Sequence, residues 1–303
     1  MQGCMTKGEE QRKSIAAAEP HNIKSGNKLS VPLTENDARA MTRNSIDSAV
    51  RTSLVIPCYN EAEGIPQLCQ KLTPLVNSLR DNGGVEVLFV DDGSTDGSAE
   101  VIRQLAGALP YRILTHSRNR GLGAALRTGF SECRGDEIVT LDSDCTYEPL
   151  KALDLLSVLR EGNDVVTGSP YHPRGSVVGV VRWRLFISML LSRLYWLILP
   201  VRLYTYTSCF RSYRKEILSK LDAPDDGFLS VAQLLVSAIL GGAKVAEVPA
   251  QLTRRKFGQS HLRTIQVGLS HLRYLSRVVW FRVQKTNHRF KVVQTSKETV
   301  NHQ

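Results

Sequence analysis

Val85-Glu86-Val87-Leu88-Phe89-Val90-Asp91-Asp92-Gly93-Ser94-Thr95-Asp96-Gly97 is an apolar run that ends abruptly in carboxylates, hydroxyls and glycine. Its β-branched and aromatic residues predict a strand buried on both faces. Gly93 permits the sharp turn that follows, and Ser94 or Thr95 is expected to cap a helix over Ser98 to Leu105. The same alternation extends outward in both directions. Upstream lie the strand Ser53 to Ile56 and the helix Gly64 to Leu79. Downstream come Arg112-Ile113-Leu114, the helix Gly123 to Glu132, the strand Ile138 to Leu141, the helix Leu150 to Leu159 and the strand Val165-Val166. Strand and helix in turn predict an α/β fold, a mostly parallel sheet with helices on both faces. Ligands of such sheets bind at the carboxyl ends of the strands.

Three polar clusters fall on that edge. Val55-Ile56-Pro57-Cys58-Tyr59-Asn60-Glu61 closes the first strand, the Asp91-Asp92 turn closes the second, and Asp142-Ser143-Asp144 follows Ile138-Val139-Thr140-Leu141. Residues i and i+2 of a strand share a face. One aspartate can therefore hold a divalent cation against a diphosphate while the other reaches a ribose, and hard cations prefer such oxygen ligands. This is a sugar-nucleotide site in outline. Gly121-Leu122-Gly123-Ala124-Ala125 follows the third strand rather than the first, so it is a poor dinucleotide fingerprint, and a tight helix entry explains it.

The chain has 303 residues, 42% hydrophobic and 22% charged, enough for one large domain or two small ones. A net charge of +10 calls for an anionic partner: nucleic acid, a phosphorylated substrate or an acidic membrane. The excess sits in the back half, where no acidic residue occurs between Asp164 and Glu216 or from Val248 to Ser296. A basic non-catalytic module would account for the charge but not for Asp142 and Asp144, so no nucleic-acid partner is expected. Six cysteines without close pairing point to reduced thiols, and the charged N-terminus has no signal peptide, so synthesis in the cytosol is expected. Residues 1–48 and 291–303 are expected to be disordered tails flanking a domain over 49–260. Val177 to Val201 is densely apolar but contains Arg182, Arg184 and Arg193. Each would cost about 2.5–3.5 kcal/mol at mid-bilayer. Helices lying in the membrane interface are therefore favoured over a span for 177–201, and likewise for the basic segment 261–290. Core-packing amphipathic helices with a solvated basic face are the alternative for both.

Thr52 to about Pro149 resembles a family 2 glycosyltransferase with the Rossmann-like nucleotide-diphospho-sugar transferase (GT-A) fold. Thr207-Ser208-Cys209-Phe210-Arg211-Ser212-Tyr213-Arg214 and Glu247-Val248-Pro249, followed by Arg255-Lys256-Phe257-Gly258-Gln259-Ser260, narrow the resemblance to dolichyl- or polyprenyl-phosphate mannose synthases. It implies that Pro57, Tyr59, Glu61, Val90 and Asp92 hold the nucleoside, that Asp142 and Ser143 contact the donor, and that Asp144 ligates Mg²⁺ or Mn²⁺ with Thr146 as a weaker ligand. It further implies that Arg255 grips the donor diphosphate with His261 nearby, and that Arg184 and Ser188, one helical turn apart, meet the acceptor phosphate.

Departures from the family are Pro170 where arginine is usual, with Arg174 as a substitute; His261 where lysine is usual; and Thr205 where a carboxylate is common. A lipid phosphate is already anionic and needs no general base, so Thr205 suits such an acceptor. Asp225 and Asp226 are reserve bases, though a cap on a helix starting near Phe228 suits them better. The implied reaction moves a hexose, mannose from GDP-mannose by first choice, onto polyprenyl or dolichyl phosphate with inversion, at the cytosolic face of a membrane and with scope for an anchoring partner subunit. The alternative is a UDP-hexose donor and a lipid or glycan hydroxyl acceptor.

Overall fold

The computed structural model describes residues 50–257 and 266–283. The expected tails over 1–48 and 291–303, and Gly258, Gln259, Ser260 and His261, lie outside the described residues. Nine strands are described: β1 (Thr52–Cys58), β2 (Val85–Asp91), β3 (Tyr111–Thr115), β4 (Glu137–Thr140), β5 (Val165–Ser169), β6 (Ser176–Val178), β7 (Arg211–Arg214), β8 (Val245–Pro249) and β9 (Gln251–Thr253). Seven of them form one sheet in the order β3-β2-β1-β4-β7-β5-β8, parallel except for β7, which runs antiparallel to both neighbours. The helices are α1 (Ile65–Arg80), α2 (Ser98–Leu105), α3 (Leu122–Glu132), α4 (Ala152–Arg160), α5 (Arg182–Ile198), the single turn α6 (Lys215–Leu218), α7 (Leu229–Leu240), and α8 over 266–283.

Period-two alternation divides the core between the two faces of the sheet. Leu54, Ile56, Val87 and Phe89 pack with Leu68, Leu72 and Leu75 of α1 and Leu155 of α4. Val55, Leu88, Val90 and Ile138 belong to the other layer, with Ala125 of α3, Tyr195 of α5 and Leu235 of α7. Each fully buried aliphatic side chain contributes about 1.5–3 kcal/mol, and truncating one such as Leu72 to Ala would cost about 2–5 kcal/mol.

The back half departs from a simple alternation. β7 carries Arg211, fully buried, whose guanidinium donates to the Thr167 hydroxyl at 3.2 Å, to the Tyr206 carbonyl at 2.7 Å and to the Val231 carbonyl. Arg214 donates to the carbonyls of Asn163 and Leu159. Those two charges, counted in the sequence as part of an anion-seeking excess, hold the sheet together instead. Over 177–201 the helix begins only at Arg182, because Ser176–Val178 is extended and pairs in parallel with Gln251–Thr253. α8 buries His271, Leu275 and Val278. The Tyr195 hydroxyl and His271 Nδ1 lie 2.8 Å apart and link α5 to α8. Both helices also leave large apolar groups in the open, including Phe186 at 68% and Trp280 at 65% exposure. Each thus has a core-packing face as well as exposed apolar side chains. No helix of the described residues is long and apolar enough to cross a membrane.

Candidate active site

The loops after β1 and β2 are sewn together before any ligand is considered. Asn60, at a left-handed φ of 54°, donates its N–H to Ser94 Oγ at 3.0 Å, and its side-chain carbonyl accepts the Thr95 N–H at 2.8 Å. Glu61 N–H donates to Ser98 Oγ and Ala62 N–H to Asp96. Ser94 and Thr95 therefore tie the two loops rather than capping α2, whose N-cap is Gly97 in a left-handed conformation with no side-chain cap bond. In the register of β1 and β2, Pro57 stands opposite Val90. Pro57 and Tyr59 are half-buried at the edge, whereas the Val90 side chain is fully buried in the layer shared with α3. That position can meet a nucleoside only through its main chain.

Asp92 is buried and densely bonded. Its Oδ1 lies 2.6 Å from His116 Nδ1 and accepts the Arg120 N–H at 2.9 Å, and its Oδ2 accepts the Gly121 N–H at 2.6 Å. His116 Nε2 in turn lies 2.9 Å from Thr128 Oγ1 of α3. Asp92 thus fixes the loop that leads into α3. Sequence reasoning passed over His116, for which a lone histidine at a strand end gives no signal. A side chain at Gly93 would run into the backbone of Arg118 at 2.3 Å, which is why that turn needs glycine. The entry to α3 is occupied by protein: Gly123 N–H donates to the Asp226 carbonyl at 2.7 Å, so the glycine pattern serves close packing. Asp225 and Asp226 do not cap α7. Asp225 accepts the Gly227 N–H at 2.8 Å, Asp226 pairs with Arg127, and the helix starts at Leu229 without a side-chain cap bond.

At the centre, Glu61, Asp142 and Asp144 converge on Arg255. Arg255 Nε donates to Asp144 Oδ2 at 3.0 Å, its Nη2 pairs with Glu61 Oε1, and Asp144 Oδ1 accepts the Thr146 N–H at 3.0 Å. Ser143 between the aspartates is buried. Burial pushes the Glu61 carboxyl up to about 7, with Arg255 pulling it down and the Asp144 charge adding to the rise. Asp142 is raised for the same first reason, burial, and then by Asp144. Glu61 Oε2 is buried without a hydrogen-bond partner. Three carboxylates against one guanidinium, with an orphaned carboxylate oxygen, form an oxygen-rich, charge-deficient site that fits a hard divalent cation. Among the described residues no group of three or more His, Cys, Asp or Glu side chains is placed to hold a metal ion without further ligands. Asp144, with Thr146 beside it, would hold the ion, and the Asp142 carboxylate lies close enough for the Asp144 charge to act on it.

Arg184 and Ser188, the pair expected to meet an acceptor phosphate, are half-buried on α5. The Arg184 guanidinium lies 5.5 Å from the Trp183 ring centre, and the Ser188 hydroxyl is 2.9 Å from that of Thr207. Three residues beyond Thr207, Phe210 stacks on Tyr147 at 5.1 Å, which links this wall to the Asp144 loop. Thr205 is buried, its hydroxyl 2.7 Å from that of Ser169, and its N–H donates to Glu247 Oε1 at 2.8 Å. Glu247 also accepts the Tyr204 N–H. Arg174, the substitute for the missing arginine, is exposed in the turn after β5.

The sheet order and the acid cluster at its strand ends are those of a glycosyltransferase of the GT-A fold. The sequence pattern described as Glycosyl transferase family 2 matches residues 53–222, and the chain belongs to that family. It is 31% identical over 242 residues to the polyprenol monophosphomannose synthase of Mycolicibacterium smegmatis, covering 77% of this chain and 89% of that protein. It is 28% identical over 232 residues to the dolichol-phosphate mannosyltransferase of Pyrococcus furiosus, covering 76% of this chain and 64% of that protein. Among solved structures, glucosyl-3-phosphoglycerate synthase from Mycobacterium tuberculosis in complex with Mn²⁺ and uridine-diphosphate-glucose aligns with a TM-score of 0.58 at 22% identity, over 78% of this chain and 81% of that one. That likeness is one of fold.

Proposed function

We propose that this enzyme transfers a hexose, mannose from GDP-mannose by first choice, to the phosphate of a polyprenol or dolichol, working from the cytosolic face of a membrane to which it binds peripherally. The observation that carries the reading is the disposition of the carboxylates. Those that face the donor site cluster on Arg255. The reserve bases Asp225 and Asp226, and Glu247 beside Thr205, are engaged by chain partners of their own. An acceptor that arrives already ionised needs none of them. Arg184 and Ser188, one turn apart on α5, offer a guanidinium fork and a hydroxyl suited to a monophosphate. The names of the two curated relatives support the same acceptor class.

Pro57, Tyr59 and Glu61 would flank the nucleoside, with Asp92 holding the adjoining loop in place. Arg255 would neutralise charge growing on the departing diphosphate, and a bound Mg²⁺ or Mn²⁺ would add Lewis-acid stabilisation there. Direct attack by the acceptor phosphate inverts the anomeric centre. An anchoring subunit would add to the membrane contacts of α5 and α8.

The test incubates purified enzyme and polyprenyl phosphate with labelled GDP-mannose, UDP-glucose or UDP-N-acetylglucosamine, with and without Mn²⁺, and counts label extracted into organic solvent. Metal-dependent, mild-acid-labile lipid label from one donor is expected. No lipid label from any donor, with nucleotide binding intact, would transfer the assignment to a hydroxyl acceptor.

A further inference from the structure

Arg255 is reached by a short, well-anchored path. Thr253 is bonded to Thr146 by its N–H at 2.8 Å and by its hydroxyl at 3.1 Å. The next residue, Arg254, donates its N–H to the Val178 carbonyl at 3.0 Å. The chain is thus pinned on both the aspartate loop and β6 immediately before Arg255, whose guanidinium spans Asp144 and Glu61. The side chain of Arg255 is 22% exposed, that of Asp144 18% and that of Glu61 6%. The contact is therefore shielded from solvent, where charge pairs are screened least.

We propose that Arg255 is the resident counter-ion of the acid cluster: its guanidinium sits on the Asp144 oxygen at which a divalent cation would bind, so guanidinium and cation compete for it. This deepens the proposed function and rests on it in taking Asp144 as the metal ligand. Both carboxylate oxygens of Asp144 accept a hydrogen bond, and a cation would meet one of those donors at either of them. Oδ1 accepts the Thr146 N–H and Oδ2 accepts Arg255 Nε. The Thr146 bond is part of the loop and stays. The Arg255 bond can be exchanged, because a donor diphosphate offers the guanidinium anionic oxygens of equal quality. Glu61 is the second anchor of the fork and keeps the guanidinium beside the site during the exchange. Cation alone must displace Arg255 against its attraction to two carboxylates. Cation arriving with a nucleoside diphosphate gives Arg255 a new partner as it leaves. By linkage, each of the two ligands then strengthens the binding of the other. The device guards against occupation of the site by a free cation and makes the site receptive to the cation–donor pair.

The experiment titrates Mn²⁺ into full-length, nucleotide-free enzyme and reads free ion by electron paramagnetic resonance. Three variants accompany the wild type: Arg255→Gln, Arg255→Lys and Arg254→Gln, the last removing an exposed charge from the neighbouring position. Removing a charge in contact with the ligand is expected to tighten Mn²⁺ binding by at least about tenfold in Arg255→Gln. Arg255→Lys keeps the charge and stays within about threefold of wild type, and Arg254→Gln within about twofold, because exposed charges are screened. Thermal melts establish that each variant is folded, and Arg255→Met, which also removes the charge and is expected to show the same gain, replaces Arg255→Gln if that variant is not. Equal affinity in wild type and Arg255→Gln, a tenfold gain in Arg255→Lys, or an equal gain in Arg254→Gln overturns the inference while leaving the transferase reading in place. Absence of Mn²⁺ binding in every protein, Arg255→Gln included, overturns the inference and removes the metal from the proposed reaction, while the transfer assay decides the transferase reading separately.

Discussion

Thr253 donates its backbone N–H and its hydroxyl to one carbonyl oxygen, that of Thr146, at 2.8 and 3.1 Å. A strand from the far end of the chain is thereby fastened to the loop that carries Asp144, and Arg255 two residues later comes within 3.0 Å of that carboxylate. Thr253→Val keeps the N–H bond and the β-branched shape but loses the hydroxyl. One bond of this kind contributes about 0.5–1.5 kcal/mol, so urea denaturation should show a loss of about 1 kcal/mol. Because the loosened segment carries Arg255, proposed to grip the donor diphosphate, KM for the nucleotide sugar should rise more than kcat falls. A variant whose kinetics match wild type would mean that the N–H bond is sufficient.

Arg184→Ala should act on the other substrate. The guanidinium is half-buried on α5 beside Trp183, one turn from Ser188. A lost charge-assisted contact with phosphate costs about 1.5–3 kcal/mol, equivalent to a ten- to hundredfold rise in KM for polyprenyl phosphate. KM for the donor should stay within about twofold. Arg184→Lys should recover only part, since an ammonium lacks the planar fork. Equal loss for both substrates in steady-state assays would assign Arg184 a structural role.

Much of the first half of the fold is legible in the sequence because each strand there is short, apolar and closed by its own turn residues. The acid cluster is legible for the same reason: Glu61, Asp142 and Asp144 each follow a strand that points to the ligand edge, as does Asp92, which holds the neighbouring loop. What escaped reading depends on partners distant in the chain. β7 is an Arg-Ser-Tyr-Arg segment whose strand character comes from insertion between β4 and β5, where neutral oxygens satisfy Arg211. The three-residue strands β6 and β9 exist only as a pair. The aspartates before α7 look like caps in the sequence. In three dimensions, docking of the Gly123 turn on the Asp226 carbonyl and the Arg127–Asp226 pair hold that segment in another arrangement. The same blindness affects charge, since no pattern in the chain separates the buried Arg211 from the exposed Arg193.

His271 gives the protein an acid-side weakness. The ring is 3% exposed against Tyr195, and burial holds its pKa down at about 4, only slightly countered by Asp225. Unfolded, the same ring titrates near 6.5. Between pH 6.5 and 4 the unfolded chain therefore takes up a proton that the folded chain refuses, so stability falls with pH across that window, by up to about 3 kcal/mol. Glu61, raised to about 7, contributes in the opposite sense between its ordinary value and 7, with stability rising as pH falls. Comparison with His271→Gln isolates the histidine, because glutamine keeps a partner for the Tyr195 hydroxyl without titrating. The stability difference between wild type and variant, from chemical denaturation at each pH, should shift in favour of the variant from pH 6.5 down to 4 and be flat above 7. A difference that does not change with pH would show that His271 is accessible to protons in the folded state.

Membrane attachment should depend on α5 and α8 together. The two helices are joined at Tyr195 and His271, and their exposed apolar groups include Trp183 and Phe186 on one and Trp280 and Phe281 on the other. Exposed arginines accompany them: Arg182 and Arg193 on α5, Arg273, Arg277 and Arg282 on α8. Exposed cations accompanying exposed apolar side chains are what an interfacial helix presents to anionic lipid. Inserting one aromatic side chain contributes about 1.5–3 kcal/mol, and each arginine near an anionic surface about 1 kcal/mol. Phe186→Asp and Trp280→Asp should therefore each weaken sedimentation with phosphatidylglycerol-containing vesicles by ten-fold or more. Arg277→Ser should cost about fivefold at low salt and little at high salt, where the attraction is screened. Transfer to a short-chain, water-soluble polyprenyl phosphate should survive Trp280→Asp and Arg277→Ser, which lie on α8 away from the residues assigned to donor and acceptor. If the aspartate variants sediment with vesicles as wild type does, the exposed aromatics are not the docking surface, and attachment must come from another part of the chain or from a partner protein.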